Sequence, residues 1–98
     1  MPEPRTAFTA EEARATGEAL GVTWGEFDVD QFRRGMNVEL EHGCVDPATN
    51  VTADDALTTG KIARAHLNEF PDYYDRLRAM EADAEAYWRA KGRKAPEA

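Results

Sequence analysis

The sequence has almost no cysteine, few positively charged residues and no long apolar run. Its 98 residues include a single cysteine, Cys44, which excludes an intramolecular disulfide and favours a reducing compartment. No apolar run approaches the roughly 18 residues of a membrane-spanning helix, and the N-terminal stretch lacks the apolar segment of an export signal. We therefore expect a cytoplasmic protein with no membrane partner.

Positive charge is also scarce. Lysine and arginine together number 12 against 19 aspartates and glutamates, so the formal net charge is −7. Because this charge repels phosphate backbones, nucleic acid is an unfavourable partner, whereas cations and basic protein surfaces are attracted. A chain this short has only a modest core, so a deep active site is not expected in a monomer, and an enzyme is less favoured than a binding protein.

Residues that favour β-strands are sparse, and no stretch alternates between apolar and polar residues over the length of a strand. The periodicity instead follows the 3.6-residue repeat of helices. The sequence predicts an all-α protein, a small bundle of about four helices. We expect one domain over residues 1–98, with an ordered core at about residues 8–90 and frayed ends.

The first two helices have clear starting signals. Thr9 and Glu12 have the spacing of a capping box that opens a helix over about residues 10–20, and Asp28 with Gln31 opens the second helix in the same way. The apolar stripe predicted for the second helix, followed by the glycine that ends it, is Phe32, Met36, Leu40 and Gly43.

The last two helices are separated by a proline. Thr52 is predicted to open the third helix, Pro71 closes it, and Asp72 can cap the fourth. The stripe of the third helix consists of Thr59, Ile62, Ala63 and Phe70. The stripe of the fourth, which we expect to face the core, consists of Tyr73, Leu77, Met80, Ala84 and Trp88.

The residues that could carry chemistry are the two histidines and their glutamates. The pairs Glu39-x-x-His42 and His66-x-x-Glu69 each place a carboxylate and an imidazole on one helix face, inside or beside the apolar stripe. A glutamate in such a stripe is unfavourable unless it is paired or binds a metal. The pattern therefore suggests a site for iron, manganese or zinc, with Glu81 as an additional ligand.

Other interpretations of the four residues stay open. They can form a structural network with one another or with nearby arginines, or His42 or His66 can act as the general base of a small enzyme. A shared site also faces a problem of register. In a tight helical hairpin the two histidines would lie about 20 Å apart along the axis, unless the intervening loop runs back along the bundle or a dimer forms.

Two stretches of the chain carry a family resemblance. Residues 32–43, FRRGMNVELEHG, and residues 66–74, HLNEFPDYY, resemble a family of small bacterial and phage proteins of unknown function, and the likeness extends over about residues 8–88. The resemblance implies no activity. The resemblance assigns no role to the residues of interest in these stretches, which are Glu39, Glu41, His42, His66 and Glu69. The function favoured by the sequence is thus an interaction or structural domain, acting as a homodimer or with a protein partner, with metal binding as the alternative.

Overall fold

The computed structural model describes residues 4–92 of the chain. Its α-helices are α1 (Ala10–Ala19), α2 (Val29–Glu39), α3 (Ala56–Glu69) and α4 (Tyr73–Ala90), and a short 3-10 helix spans Leu40–His42. These residues contain no β-strand, so the predicted all-α bundle is confirmed. No helix among them is long and apolar enough to cross a membrane. The frayed ends expected from the sequence fall mostly on residues 1–3 and 93–98, outside the described residues.

The starts of α1 and α2 confirm the capping signals in the sequence. The Thr9 hydroxyl accepts a hydrogen bond from the Glu12 amide at 3.1 Å, and the Glu12 carboxylate accepts one from the Thr9 amide at 3.0 Å. Asp28 accepts a hydrogen bond from the Gln31 amide at 2.7 Å. Each bond satisfies an amide that the helix itself leaves without a partner. These helices therefore begin where local sequence alone directs them.

Gly43 ends the helical segment as predicted, but the last turn of that segment is not α-helical. The α-helical hydrogen bonding stops at Glu39, and the chain tightens into the 3-10 helix through His42, which Gly43 caps. The reason lies in the following loop, which folds back so that the amides of Val51 and Thr52 donate to the His42 carbonyl oxygen. The His42 carbonyl oxygen thus accepts hydrogen bonds from the loop. In a longer helix it would have accepted one from the next helical turn.

The predicted start of α3 is wrong. Thr52 does not cap the helix, because Ala53 and Asp54 adopt left-handed backbone angles, with φ of 52° and 61°. The N-cap is Asp55, whose carboxylate accepts the Thr58 amide at 2.9 Å. A residue with left-handed backbone angles interrupts an α-helix. The helix therefore cannot include Ala53 or Asp54 and begins after Asp55.

The loop between α2 and α3 returns to the end of α2, where the Thr52 amide donates to the His42 carbonyl oxygen. Two side-chain contacts join the helices: Phe32 of α2 lies against Gly60 of α3, and Glu39 lies beside His66. The buried core that results consists of Phe8, Ala13, Phe27, Phe32, Met36, Leu40, Ala63, Leu67 and Tyr74.

The prediction that the whole apolar stripe of α4 faces the core is wrong. Tyr74 is the one fully buried residue of this helix, and Leu77 is half-buried against the core. Met80 is 61% exposed, and Ala84 is exposed as well. Beyond Leu77 most residues of α4 are exposed, with Glu81 and Trp88 half-buried.

Candidate functional site

A buried carboxylate lies where α2, α3 and α4 meet. The side chain of Glu39, the last residue of α2, is only 5% exposed. Its Oε2 atom accepts a hydrogen bond of 2.7 Å from the hydroxyl of Tyr74, in the first turn of α4. A carboxylate is buried at a large free-energy penalty unless it is hydrogen-bonded or paired with a positive group. The Tyr74 hydroxyl supplies one such bond.

Both histidines of the chain face this carboxylate. His42 Nε2 lies 3.8 Å from Glu39 Oε1, and His66 Nε2 lies 3.7 Å from Glu39 Oε2. The register problem is resolved within one chain, because the packing of α3 on α2 places His66 beside Glu39 at the end of α2. Both distances exceed a hydrogen bond, so each imidazole interacts with Glu39 electrostatically when protonated. The four residues Glu39, His42, His66 and Tyr74 are called the Glu39 cluster below.

A second carboxylate borders the Glu39 cluster. Glu41 Oε1 lies 3.1 Å from His42 Nε2. Burial raises the pKa of Glu41, and the negative charges of Glu39 and Glu81 raise it further, although His42 lowers it. Among residues 4–92, neither Glu39 nor Glu41 forms an ion pair with a lysine or arginine. The region therefore combines three glutamates with only two histidines and has a surplus of negative charge.

Aromatic rings hold His66 in place. Its imidazole stacks on Tyr73 with 4.2 Å between ring centroids and 13° between planes. Its Nδ1 atom is buried without a hydrogen-bond partner. Burial raises the pKa of Tyr73, as do the charges of Glu39 and Glu69. Burial also raises the pKa of Tyr74, and the hydrogen bond to Glu39 adds to that effect. Both phenols thus remain protonated at neutral pH.

The structure brings together three of the four predicted metal ligands. Glu39, His42 and His66 converge, whereas Glu69 lies exposed on α3 and reaches the cluster only through its charge effect on Tyr73. Glu81, the additional candidate, lies close enough to raise the pKa of Glu41. Within the described part of the chain, no group of three or more histidine, cysteine, aspartate or glutamate side chains is arranged to hold a metal ion.

Sequence patterns did not reveal the role of Tyr74. It sits beside Tyr73 in the first turn of α4, and only the crossing of α4 over the end of α2 directs its hydroxyl to Glu39. The one local signal is Gly35, one turn before Glu39. A Cβ atom at Gly35 would overlap the Tyr74 ring, so the glycine is what permits this close approach.

A groove runs along the same junction, between α2 and α4. Its volume is about 270 Å³. Val38 and Leu77 give it an apolar wall, while Arg34 and Arg78 supply positive charge. Arg34 is already paired with Asp75 at 2.5 Å. Neither histidine lines this groove, so the geometry adds no support to the hypothesis of a small enzyme with a histidine base.

Beyond this groove most residues of α4 are exposed. Residues 82–87 are all exposed, including Tyr87 at 54%. The exposed large apolar side chains of this helix are Met80 and Tyr87. They lie seven residues apart, about two helical turns, so they project from the same face of α4.

Comparisons with known proteins identify a family but no activity. A family model described as "Protein of unknown function (DUF5661)" matches residues 13–83. That range includes the whole Glu39 cluster and the first half of α4. No curated protein and no solved structure matches the chain.

Proposed function

The chain belongs to the DUF5661 family of proteins of unknown function, and we propose that it is a protein-interaction domain whose recognition element is the projecting half of α4. The observation that carries the proposal is the exposure of Met80 and Tyr87 on the part of α4 that extends beyond its buried first turns. We place the protein in the cytosol, since its one cysteine has no disulfide partner.

Residues 78–90 continue a helix that is already nucleated at its buried first turn. Their alanine residues favour the helical state, whereas Glu81 and Glu85 repel each other at the i,i+4 spacing. Packing of the exposed Met80 and Tyr87 against a partner would stabilise this segment further. A bundle of three covered helices with a fourth that extends beyond it therefore fits an adaptor.

Site-specific crosslinking in the native host tests this proposal. A photoreactive amino acid is placed at Met80, and in a matched control at Ala15, which is exposed on α1. We expect a discrete crosslinked product from position 80 and none from position 15. A second copy of the chain and another protein are distinguished by product mass. Failure of position 80 to form any product at native expression level would contradict the proposal.

Metal binding is the second candidate function, and one observation favours it. Two imidazole Nε2 atoms approach the two oxygens of one buried carboxylate at 3.7 and 3.8 Å. These separations are a few tenths of an ångström longer than the roughly 3.4 Å between ligand atoms around a tetrahedral zinc-like ion, whose bonds are about 2.0–2.2 Å long. The surplus of carboxylates adds attraction for a cation. The ligands would be Glu39, His42 and His66 with Glu41 as the fourth in place of Glu69, and iron, manganese or zinc suits this donor set.

Two features of the cluster stand against metal binding. His66 Nδ1 has no hydrogen-bond partner, whereas the second nitrogen of a metal-bound histidine is almost always hydrogen-bonded. A metal would also require the side chains to move closer than they stand, since no ready coordinating group exists among residues 4–92. The interaction proposal needs no such rearrangement and is therefore the first choice.

Elemental analysis of untagged protein purified without chelator tests the second candidate. A metal-to-protein ratio near one for iron, manganese or zinc, lost in His66→Ala and kept in the Glu69→Ala control, is the expected result of a metal site. A ratio near zero that stays there after reconstitution leaves the cluster as a structural network that anchors α4.

A further inference from the structure

We propose that the partner of α4 is an amphipathic helix whose apolar stripe is bordered by lysine or arginine residues. This inference rests on the proposed interaction function and adds the chemical character of the partner. It follows from where the charges of α4 lie relative to its apolar side chains, and from what a second copy of the same helix would present to them.

The apolar stripe of α4 is continuous from the bundle to the projecting segment. Leu77, Met80, Ala84 and Tyr87 follow one another at spacings of three, four and three residues. At about 100° per residue, these four side chains fall within an arc of about 80° on the helix surface. Leu77 is half-buried against the core, while Met80 and Tyr87 are exposed. A partner helix could therefore extend the bundle along this face.

Carboxylates border this stripe on both sides. Taking the same angle per residue, Glu81 lies about 80° to one side of the centre of the stripe and Asp83 about 80° to the other. Glu85 lies further round on the side of Glu81. Among the described residues these three carboxylates form no ion pair with lysine or arginine. Asp83 and Glu85 are exposed and Glu81 is half-buried, so the middle of the stripe has an acidic border that a positively charged partner can meet.

A second copy of the chain is a poor match for this border. An antiparallel pair that keeps the two bundles apart would bring Leu77 opposite Tyr87 and Met80 opposite Ala84. The same alignment brings Glu81 opposite Glu81 of the other copy and Asp83 opposite its own equivalent. Like charges at such positions destabilise helix pairing. The net charge of −7 on each copy adds repulsion.

A helix with lysine or arginine at the bordering positions reverses each of these interactions. Every repulsive contact becomes an attractive one, while the apolar contacts remain. Electrostatic complementarity of this kind mainly sets partner choice and association rate, and it weakens with salt because the charges are exposed. The inferred partner is therefore recognised by charge as well as by apolar area, and binding must respond to both.

Two synthetic peptides provide the test. Both have the same leucine and alanine stripe over 18 positions, and one has lysines and the other glutamates at the bordering positions. Each is titrated into the full-length isotope-labelled protein while backbone amide resonances are followed. We expect the lysine peptide to shift resonances of residues 78–90 and to bind at least tenfold more tightly than the glutamate peptide. Raising the salt concentration to 0.5 M should abolish most of that difference.

Matched variants locate the binding face. Glu81→Gln combined with Asp83→Asn should weaken the lysine peptide at least fivefold. The control Glu11→Gln with Glu18→Gln removes the same charge from exposed positions of α1 and should leave affinity unchanged. Met80→Ser, which shortens the apolar stripe at an exposed position, should weaken binding by a similar factor to the acidic pair. Equal loss in the control would show non-specific attraction and overturn the inference.

Three further results would overturn it. These are equal binding of both peptides, binding of neither at millimolar concentration, and a dimer of the wild-type chain, seen by light scattering, that Met80→Ser dissociates. The crosslinking experiment at Met80 separates this inference from the proposed function. If crosslinking succeeds while the lysine peptide fails, α4 is a recognition element for a partner of other chemistry. If both fail, the interaction function fails with the inference.

Discussion

The root and the tip of α4 belong to one helix but have opposite surroundings. At the root, Tyr73 and Tyr74 contact His66 and Glu39, and Tyr74 is buried. At the tip, Tyr87 stacks edge-on against its neighbour Trp88 and is 54% exposed. The apolar periodicity continues unchanged from one to the other. Periodicity therefore specifies which face of a helix is apolar, but not whether anything covers that face.

The carboxylates at the root of α4 and those further along the helix also have different roles. The carboxylate of Glu39 at the root is buried and surrounded by partners, so its substitution should change the stability of the fold. The carboxylates of Glu81 and Asp83 serve a helix that stands largely in solvent, so their substitution should change binding instead. Four predictions test the contacts that hold the root of α4 and the charges beside it, in order of decreasing effect on the free energy of unfolding.

The largest difference is expected between two tyrosines of α4. Tyr74→Ala removes a buried ring and leaves Glu39 without its donor, so it should lower the free energy of unfolding by about 3–5 kcal/mol. Tyr87→Ala removes an exposed ring and should change it by less than about 0.5 kcal/mol. Denaturant unfolding measures both. Similar values for the two variants would mean that the tip of α4 is covered within the monomer.

The hydroxyl of Tyr74 should matter even when its ring is kept. Tyr74→Phe removes the 2.7 Å hydrogen bond to Glu39 and should lower the free energy of unfolding by about 1–3 kcal/mol, because a buried carboxylate loses its donor. Tyr73→Phe is the matched control, since that hydroxyl has no hydrogen bond among the described residues, and should be close to neutral. In the Glu39→Gln background, Tyr74→Phe should have a smaller effect than in the wild type.

The close approach of α2 and α4 at Gly35 should be sensitive to a single methyl group. Gly35→Ala places a Cβ atom against the Tyr74 ring, and the expected loss is about 1 kcal/mol, since overpacking outweighs the gain in helix propensity. Gly25→Ala is the control, because its Cβ would meet only the Thr23 hydroxyl at 3.8 Å. A thermal melt in which Gly35→Ala matches or exceeds the wild type would place α4 further from α2 than described.

The smallest effect should come from Glu41. Burial, the first cause, and the nearby charges of Glu39 and Glu81 raise its pKa in the folded state. A raised pKa means that the folded state holds this proton more tightly than the unfolded state does. Its contribution to stability is therefore greatest at low pH and is lost as pH rises through the folded pKa.

Glu41→Gln tests this pH dependence. The variant should be slightly more stable than the wild type at pH 7 and should lose this advantage near pH 4. The measurement is the free energy of unfolding at both pH values, with the exposed Glu11→Gln as control. A variant that is less stable at pH 7 would show that the contact with His42, at 3.1 Å, dominates instead.

Much of the fold follows from local sequence. The starts of α1 and α2 depend on hydrogen bonds between residues three apart, and these are visible in the sequence as Thr9 with Glu12 and Asp28 with Gln31. The start of α3 was missed because Asp54 instead accepts the amide of Cys44, ten residues away. The residues around Asp54 form no pattern that predicts this hydrogen bond to Cys44.

The candidate site was predicted only in part for the same reason. The spacing of Glu39 with His42 shows that both lie on one turn, and this holds in the structure. The meeting of His66 with Glu39 depends on the return of the loop to His42 and on the packing of α3 against α2. Glu69 shares a helix with His66 but lies exposed, because a three-residue offset places two side chains near each other without directing both inward.

The sequence alone determined the helical class, the capped starts of α1 and α2, and the acidic surface, since these depend on residues close together in the chain or on simple composition. Only the tertiary structure decided that both histidines and Tyr74 meet at Glu39, and how much of α4 is covered. Those outcomes depend on the path of a loop and on how the helices pack. Such long-range geometry depends on the packing of many side chains at once, so no short stretch of sequence predicts it.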